Sequence, residues 1–317
     1  MGRPRIAARP AGIVAGFCAD IAIADPPRAH PVAVFGAAAA ALERIDYRDA
    51  RWAGAVHTAI LLAPLAIGGT AMPGAAGLAV ATWVALGGTS LTRTGSKMGR
   101  LLAAGDVAAA RGLLPSLCGR NPEVLDVDGL TRAALESVAE NTSDAHVAPL
   151  LWASLAGAPA VLLYRAINTL DAMIGYRSPR YHRFGWAAAR LDDAANLLPA
   201  RVTAVLVAVC APVVGGSPRD AIRVWRRDAA RHPSPNAGVV EAAFAGALGI
   251  RLGGPTRYAH TLEIRPRLGD GPPPGVHDLR RAVRLSRTVQ LAAVALSAAV
   301  AAVSAAVRSG RRASPRG

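Results

Sequence analysis

The chain has 317 residues, of which 52% are hydrophobic and only 4% aromatic, and its formal net charge is +15. A mean hydropathy of +0.29 is unusual for a soluble protein, so a soluble binding module is excluded. The arginines lie between apolar runs, which membrane topology explains better than nucleic-acid binding, so we expect a lipid bilayer and no nucleic acid as partner.

Apolar segments follow one another along the chain, at about 11–24, 53–71, 74–92, 145–164, 202–216 and 289–307. A membrane-spanning helix needs ~20 residues, a length that the second, third, fourth and sixth segments reach and the first and fifth do not. No convincing strand pattern occurs. The sequence therefore predicts an all-α, polytopic membrane bundle with four to six membrane segments.

Prolines and glycines predict interruptions in two of these segments. The fourth contains Pro149, Gly157 and Pro159, and the fifth has Pro199 and Pro212 near its ends. Irregular backbone is tolerated in a membrane where it lines a protected cavity, so we expect broken or re-entrant segments. We assign residues 1–307 to one membrane-embedded domain and residues 308–317 to a disordered basic tail.

Polar residues are concentrated immediately before the fourth apolar segment. Glu136 and Glu140 are four residues apart and share a helix face, where two carboxylates repel unless a cation lies between them. Asn141 and Asp144 add oxygens of the type that hard cations prefer. The alternative is a solvated helix end, with residues 142–144 capping the next helix.

A second polar stretch, residues 164–201, contains two groups of acids and amides. Asn168 and Asp171 share a helix face, and an ionisable group inside an apolar stretch predicts a functional role. The other group and its flanking arginines comprise Asp192, Asp193, Asn196, Arg190 and Arg201. Between them lies a basic loop with Arg177, Arg180 and Arg183, which could hold phosphate or face anionic lipid.

A third polar region, residues 231–255, follows the fifth apolar segment. His232, Ser234 and Asn236 lie in a turn-rich loop, and Glu241 follows on a helix of small residues. The Gly-Gly-Pro sequence at 253–255 could present backbone N–H groups to phosphate, although such a turn most often ends a helix. No P-loop motif occurs in the sequence.

Five segments together carry a resemblance to a known family, and they read DPPRAHPV, ESVAENTSD, YRAINTLDAMIGYR, RFGWAAARLDDAANLLPAR and HPSPNAGVVEAAFAGALGIRLGGP. In this order, over about 20–270, they closely resemble the adenosylcobinamide-phosphate synthase family of cobalamin biosynthesis. The chain departs from the family pattern at Ala145, at Asn121-Pro122 and at Ala259-His260, and the acidic motifs stay intact.

The resemblance implies a multi-pass protein of the inner (cytoplasmic) membrane whose domain is catalytic and whose active site faces the cytoplasm. The implied reaction joins the free propionate of adenosylcobyric acid to (R)-1-aminopropan-2-ol or its O-phosphate through an amide bond. It also implies ATP and Mg²⁺ as cofactors and admits other late corrinoid enzymes as partners. Activation of the carboxylate as an acyl phosphate would need metal and arginines, and the amine would need a base.

These implications assign a hypothetical role to each polar cluster. The carboxylates of the catalytic metal or ammonium site would be Glu136, Glu140, Asp144, Asp171, Asp192 and Asp193. The Mg²⁺ ligands among them would be Glu140, Asp144 and Asp192. The residues that would bind substrate or phosphate are Asn141, Asn168, Arg177, Arg190, Asn196, Arg201, His232, Ser234, Asn236 and Glu241. We expect all of them to share one cytoplasm-facing cavity.

Two alternatives from other functional classes stay open on the sequence. A polytopic transporter would use buried carboxylates as coupling-ion sites, but it should show inverted repeats, and the sequence contains none that we detect. A different intramembrane Mg²⁺-dependent transferase would use Asn168 and Asp171 as metal ligands for a diphosphate substrate.

Overall fold

The structure is a computed structural model that describes residues 4–26, 30–176, 178–257 and 262–313. Its α-helices are, in chain order, α1 Pro4–Ile23, α2 Pro31–Asp46, α3 Arg51–Thr70, α4 Gly74–Ala85, α5 Gly88–Ala103, α6 Val107–Leu113, α7 Val127–Thr142, α8 Ala148–Ala156, α9 Ala158–Ile174, α10 Tyr181–Phe184, α11 Trp186–Cys210, α12 Pro218–Asp228, α13 Ala237–Leu248 and α14 Val276–Ala313. A single hairpin, β1 Leu252–Arg257 and β2 Leu262–Leu268, is the sheet seen in these ranges. This composition confirms the all-α prediction.

The chain divides into two compact units, each assembled from separate stretches of sequence. The first unit comprises Met1–Gly87, Ala148–Asn196 and Ala293–Gly317. The second comprises Gly88–Val147 and Leu197–Ala292. The single domain expected over residues 1–307 stays a prediction. Helix α14 continues to Ala313, into the segment predicted as a disordered tail.

Four helical stretches in the described ranges are long and apolar enough to cross a membrane: Arg51–Thr70, Gly74–Ala103, Trp186–Val214 and Val276–Val307. The polytopic prediction is therefore confirmed, but the four candidate spans are not the same four segments that the sequence predicted. The predicted fourth segment is not among them, because Gly157, with φ at +81°, separates α8 from α9. The break expected there is confirmed.

The fifth segment is longer than the sequence predicted, because Pro199 lies inside α11 without ending it. A proline lacks the N–H that would bond the carbonyl four residues earlier, which here belongs to Ala195. The indole Nε1–H of Trp152 donates to that carbonyl oxygen at 3.2 Å instead. A side chain from α8 thus replaces the lost backbone hydrogen bond, and the helix continues.

In the first unit, glycines allow the helices to approach closely. A Cβ at Gly16 of α1 would lie 2.6 Å from Thr82 Cβ of α4, and a Cβ at Gly69 of α3 would lie 2.5 Å from Pro159 Cα. Small residues permit such contacts between membrane helices. The apolar core of this unit contains Ala39, Ala53, Leu170, Ile174, Phe184 and Ala188.

In the second unit, α13 is buried along its whole length and packs against α7 and α12. It ends at Gly249, which has φ at +69°. The Gly-Gly-Pro sequence considered as a helix stop lies instead in β1 of the hairpin. Gly253 has φ at +83°, and a Cβ there would lie 2.0 Å from Pro266 O, so only glycine fits. The hairpin is an element that the sequence did not predict.

Candidate functional site

Three glutamates and two arginines form a buried group of charges in the second unit, here named the glutamate cluster. Glu136 and Glu140 lie one turn apart on α7, as their spacing predicted, and Glu241 lies on the buried α13. Arg120 precedes α7, and Arg265 lies on β2. The side chains of Glu136 and Glu241 are 2% and 1% exposed. Charges this deeply buried need partners to offset the loss of hydration.

Both carboxylate oxygens of Glu136 have donors. Arg120 donates from Nη2 to Oε2, and the backbone N–H of Gly253 donates to Oε1 at 2.8 Å. The backbone N–H of Gly253, which the sequence suggested as a donor to phosphate, therefore donates to the carboxylate of Glu136 instead. Glu136 joins α7 to the hairpin and to Arg120, so its contacts position the rest of the cluster.

The other two glutamates of the cluster lack such donors. No described residue donates a hydrogen bond to either carboxylate. Burial raises the pKa of Glu140, opposed by Arg265 and Arg120. Burial raises the pKa of Glu241 well above its ordinary value, and the charges of Glu136 and Glu140 raise it further. The pair is therefore poised to accept a proton or a cation.

A histidine lies beside Glu241 at the edge of the cluster. His232 Nε2 is 3.9 Å from Glu241 Oε1, and Arg265 Nη1 is 3.8 Å from the same oxygen. The backbone N–H of Ser234 donates to His232 Nδ1 at 3.1 Å, which leaves the proton of the neutral ring on Nε2. Burial, together with the charge of Arg265, lowers the pKa of His232 to about 4, so the ring is neutral at pH 7.

The remaining predicted ligands of this region have structural contacts. Ser234 Oγ accepts the backbone N–H groups of Asn236 and Ala237, at the start of α13. Asn236 Oδ1 accepts a hydrogen bond from Arg201 Nη1 at 2.7 Å. Their roles in substrate or phosphate binding stay predictions. Of the predicted binding residues, Glu241 belongs to the glutamate cluster and His232 lies next to it.

A π-helical turn, Ser143–Val147, follows the two glutamates of α7 and leads without a break into α8. Capping of a new helix at residues 142–144 is therefore wrong, because the helical backbone continues through them. Asn141 donates from Nδ2 to the Ser137 carbonyl at 3.0 Å, and Asp144 is half-buried within the turn. Such π-turns often occur at functional sites.

The acids and amides predicted in the stretch 164–201 form a second network, in the first unit. Asp192 on α11 accepts from Asn168 Nδ2 at 3.3 Å and from Asn196 Nδ2 at 3.0 Å. Tyr164 donates to Asn196 Oδ1 at 2.8 Å and orients that amide. Asp192 is thus held by donors from both α9 and α11, unlike Glu241.

The other predicted residues of the first unit lie near this network. Asp193 lies 3.6 Å from Arg190 in an i,i+3 ion pair, and Asp171 is half-buried on α9. A Cβ at Gly175 would lie 2.8 Å from the backbone carbonyl oxygen of Asp171, which favours glycine at this position. Arg177 lies outside the described residues. The predicted acids thus fall in both units, and their convergence on one cavity stays a prediction.

Sequence reasoning missed several residues that the structure brings together. Arg120 and Arg265 were two among 36 basic residues and carried no local signal. Glu43 was missed as well, and its Oε1 accepts from Arg180 Nη2 at 2.8 Å and from Tyr181 Oη at 3.0 Å. Arg180, considered for phosphate or lipid, is held by this carboxylate.

A preformed metal site is not evident in the part of the chain that the structure describes, because no group of three or more His, Cys, Asp or Glu residues is arranged to hold an ion. Mg²⁺ commonly takes only one or two carboxylates together with phosphates of a substrate. Glu140 and Glu241 supply oxygens of that kind, so the cluster fits an ion that arrives with a nucleotide.

The comparisons with known proteins agree on one family. The family model described as CobD/Cbib protein matches residues 13–286. The chain is 67% identical over 296 residues to the cobalamin biosynthesis protein CobD of Mycobacterium tuberculosis, covering 91% of this chain and 95% of that protein. It is 43% identical to the CobD of Chromobacterium violaceum, with coverage of 89% and 94%. No solved structure matches.

Proposed function

Because this chain belongs to the CobD/CbiB family of cobalamin biosynthesis, with corrin-type substrates, we propose that it forms the amide bond of adenosylcobinamide or its phosphate. The acid would be the free propionate of adenosylcobyric acid. The amine would be (R)-1-aminopropan-2-ol or its O-phosphate.

The glutamate cluster is the observation that carries this proposal. Its three carboxylates outnumber the two arginines that lie with them in the described part of the chain, and both oxygens of Glu241 lack a hydrogen bond from any described residue. An ammonium group supplies a positive charge and three N–H donors, which suit Glu140 and Glu241. The protonated amino alcohol is therefore a fitting ligand for this pair.

The raised pKa of these glutamates also supports a role as general base. The amine must lose a proton before it attacks the carbonyl carbon of the activated propionate, and a base whose pKa lies closer to the operating pH accepts that proton more readily. The proton would pass to Glu140 or Glu241, and the C–N bond would form as inorganic phosphate leaves. Glu136 would hold Arg120 in position during this step.

Activation of the propionate by ATP, as an acyl phosphate, completes the proposal. Arg120 and Arg265 would neutralise negative charge that develops on the acyl group or phosphate. Mg²⁺ bound with the nucleotide would supply further neutralisation of phosphate charge. Glu140, one of the predicted Mg²⁺ ligands, would hold it, and Glu241 would then receive the amine and its proton. The catalytic roles predicted for Asp171 and Asp192, which lie in the first unit, stay proposals.

Product analysis tests the proposed reaction. The purified full-length protein is supplied with adenosylcobyric acid, ATP, Mg²⁺ and either form of the amino alcohol, and the corrinoid is analysed by mass spectrometry. We expect a product whose mass exceeds that of adenosylcobyric acid by the mass of the amine less that of one water. No such product should form when ATP is omitted. Unchanged corrinoid with both amines would overturn the proposal, and transport of corrinoid into vesicles without a covalent product would favour a transporter.

The proposed location is the inner membrane, with the catalytic groups facing the cytoplasm. Single cysteines introduced at Asp144 and at Asp193, in a variant without the three native cysteines, test this with an impermeant thiol reagent. We expect both positions to react only from the cytoplasmic side in oriented vesicles. Labelling of the two positions from opposite faces would contradict a shared cavity.

A further inference from the structure

A groove in the second unit is lined by arginines and small apolar residues. It lies between α5 and the first turns of α14 and forms an open cavity of about 660 Å³. Its polar lining consists of Ser96, Arg100, Arg280, Arg284 and Arg287. None of these residues belongs to the glutamate cluster, so the groove is a separate feature that the proposed reaction does not explain.

The helix register concentrates positive charge along the groove. Arg280, Arg284 and Arg287 recur at intervals of four and three residues, so they share one face of α14. Arg100 lies one turn after Ser96 on α5. The four arginines therefore line the two walls of one groove.

Glycines on α5 bring the two walls together. A Cβ at Gly95 would lie 2.9 Å from Val283 Cγ2, and a Cβ at Gly99 would lie 3.7 Å from Arg280 Cγ. The helices are in contact along this line, and Val283 forms part of the apolar floor of the groove.

The arginines of the groove have no acidic partners among the residues that the structure describes. Only Arg287 has a polar contact there, with Ser96 Oγ at 3.3 Å. Arg281, on the same helix but outside the groove, shows the contrast, because it pairs with Asp278 at 2.8 Å and donates to the Leu248 carbonyl at 2.9 Å. Arg281 stabilises the fold, whereas the four arginines of the groove are exposed and have no acidic partner among the described residues.

The groove also lies at the ends of two apolar stretches. Arg100 is near the end of the candidate span Gly74–Ala103, and Arg287 precedes the charge-free run 289–307. Arginines at this depth meet the headgroups of a bilayer, and basic pockets between membrane helices bind anionic headgroups. Arginines that only set topology would need no cavity between two helices.

We propose that this groove binds the phosphate group of an anionic phospholipid. The planar guanidinium groups suit bidentate contacts to phosphate oxygens, and the apolar floor suits the start of an acyl chain. The site is independent of the glutamate cluster, and it would tie α5 to α14 when the protein is in an anionic membrane.

Lipid binding by the full-length protein tests this directly. The protein in detergent micelles is titrated with dioctanoyl phosphatidylglycerol or dioctanoyl phosphatidylcholine, and bound lipid is counted by native mass spectrometry. We expect one phosphatidylglycerol to bind tightly, and the Arg284→Gln/Arg287→Gln variant to bind it at least about tenfold more weakly. The matched control Arg219→Gln/Arg226→Gln loses the same charge from exposed positions on α12 and should bind as the wild type does.

Three results would overturn the proposal. Equal affinity for the zwitterionic lipid would show that the headgroup charge is not recognised. An unchanged affinity in the groove variant would place the lipid elsewhere. Displacement of phosphatidylglycerol by inorganic phosphate or ATP at similar concentration would make this a site for soluble phosphate. Should the double variant fail to fold, Arg284→Lys keeps the charge but removes the guanidinium fork, and we expect several-fold weaker binding.

Discussion

The carboxylates of the two units differ in how their oxygens are used. In the first unit, Asp192 accepts two amide hydrogen bonds, and Glu43 accepts donors from an arginine and a tyrosine. In the second unit, the buried Glu241 and the half-buried Glu140 have no hydrogen bond from a described residue. The first arrangement is complete within the protein, whereas the second is completed only by a ligand or a proton.

This difference separates groups that hold the fold from groups that act on a ligand. A buried acceptor without a donor costs about 1–3 kcal/mol, and more when it is charged. Such groups persist where function needs them, because the binding of a ligand offsets the cost. We therefore expect variants of Glu140 and Glu241 to lose activity, and variants of Glu136, whose oxygens already have donors, to lose stability.

The largest effect should follow from removing the unsatisfied carboxylate of α13. The Glu241→Gln variant keeps the shape but loses the negative charge and the proposed base. We expect kcat/KM for amide formation to fall by about 10²–10⁴-fold. The melting temperature should stay the same or rise, because a buried charge without a hydrogen-bond donor is gone.

An exposed glutamate of the same unit supplies the matched control for Glu241. Glu123→Gln makes the same chemical change at a surface position and should leave both kcat/KM and melting temperature unchanged. Wild-type kinetics in Glu241→Gln would remove the glutamate cluster from the proposed mechanism.

Replacing Glu136, whose two carboxylate oxygens both accept hydrogen bonds, should lower the stability of the protein, unlike replacing Glu241. Glu136→Leu leaves Arg120 buried without its partner, which should lower the free energy of unfolding by about 3–5 kcal/mol. Adding Arg120→Met replaces the whole pair with apolar groups and should restore much of that loss. Chemical denaturation in detergent measures both, and additive losses in the double variant would show that the two side chains do not act as a pair.

A smaller effect is expected for the network of the first unit. Asp192→Asn removes a charge that accepts two amide hydrogen bonds, which should lower the free energy of unfolding by about 1.5–3 kcal/mol. Its activity should exceed that of Glu140→Gln when both are assayed for amide formation. Near-normal turnover in both variants, with unchanged Mg²⁺ dependence, would exclude the acidic site predicted from the sequence.

The smallest expected effect is a change of pH dependence. The proposed base must be ionised, so activity should fall as pH is lowered through the raised pKa of the Glu140 and Glu241 pair, above the ordinary carboxylate range. His232 stays neutral throughout, since its pKa is about 4. A pH–rate profile measures the midpoint, and a midpoint at the ordinary value for glutamate would contradict the role of burial.

Stability should depend on pH with the opposite sign. A carboxyl whose pKa is raised in the folded state contributes stability below its unfolded pKa, and that contribution is lost as pH rises through the folded value. The loss amounts to roughly 1.4 kcal/mol for each tenfold difference between the folded and unfolded acid dissociation constants. The fall in melting temperature as pH rises above the ordinary glutamate range should therefore be smaller in Glu241→Gln than in the wild type.

Much of this protein could be predicted from local patterns. Hydropathy predicted a polytopic helical protein, and Pro149, Gly157 and Pro159 together predicted a break in the segment that the structure divides into α8 and α9. The spacing of Glu136 and Glu140 predicted their common face on α7. The order of the five polar motifs identified the family, because that pattern is a property of sequence alone.

Only the tertiary structure decided which polar groups meet and which of them are satisfied. Arg120, Glu241 and Arg265 are far apart in sequence, and their association depends on how α13 and the hairpin pack against α7. The length of α11 depended on Trp152, whose indole replaces a hydrogen bond lost at proline. Periodicity and hydropathy describe neighbours along the chain, whereas burial and donor geometry arise from contacts between distant segments.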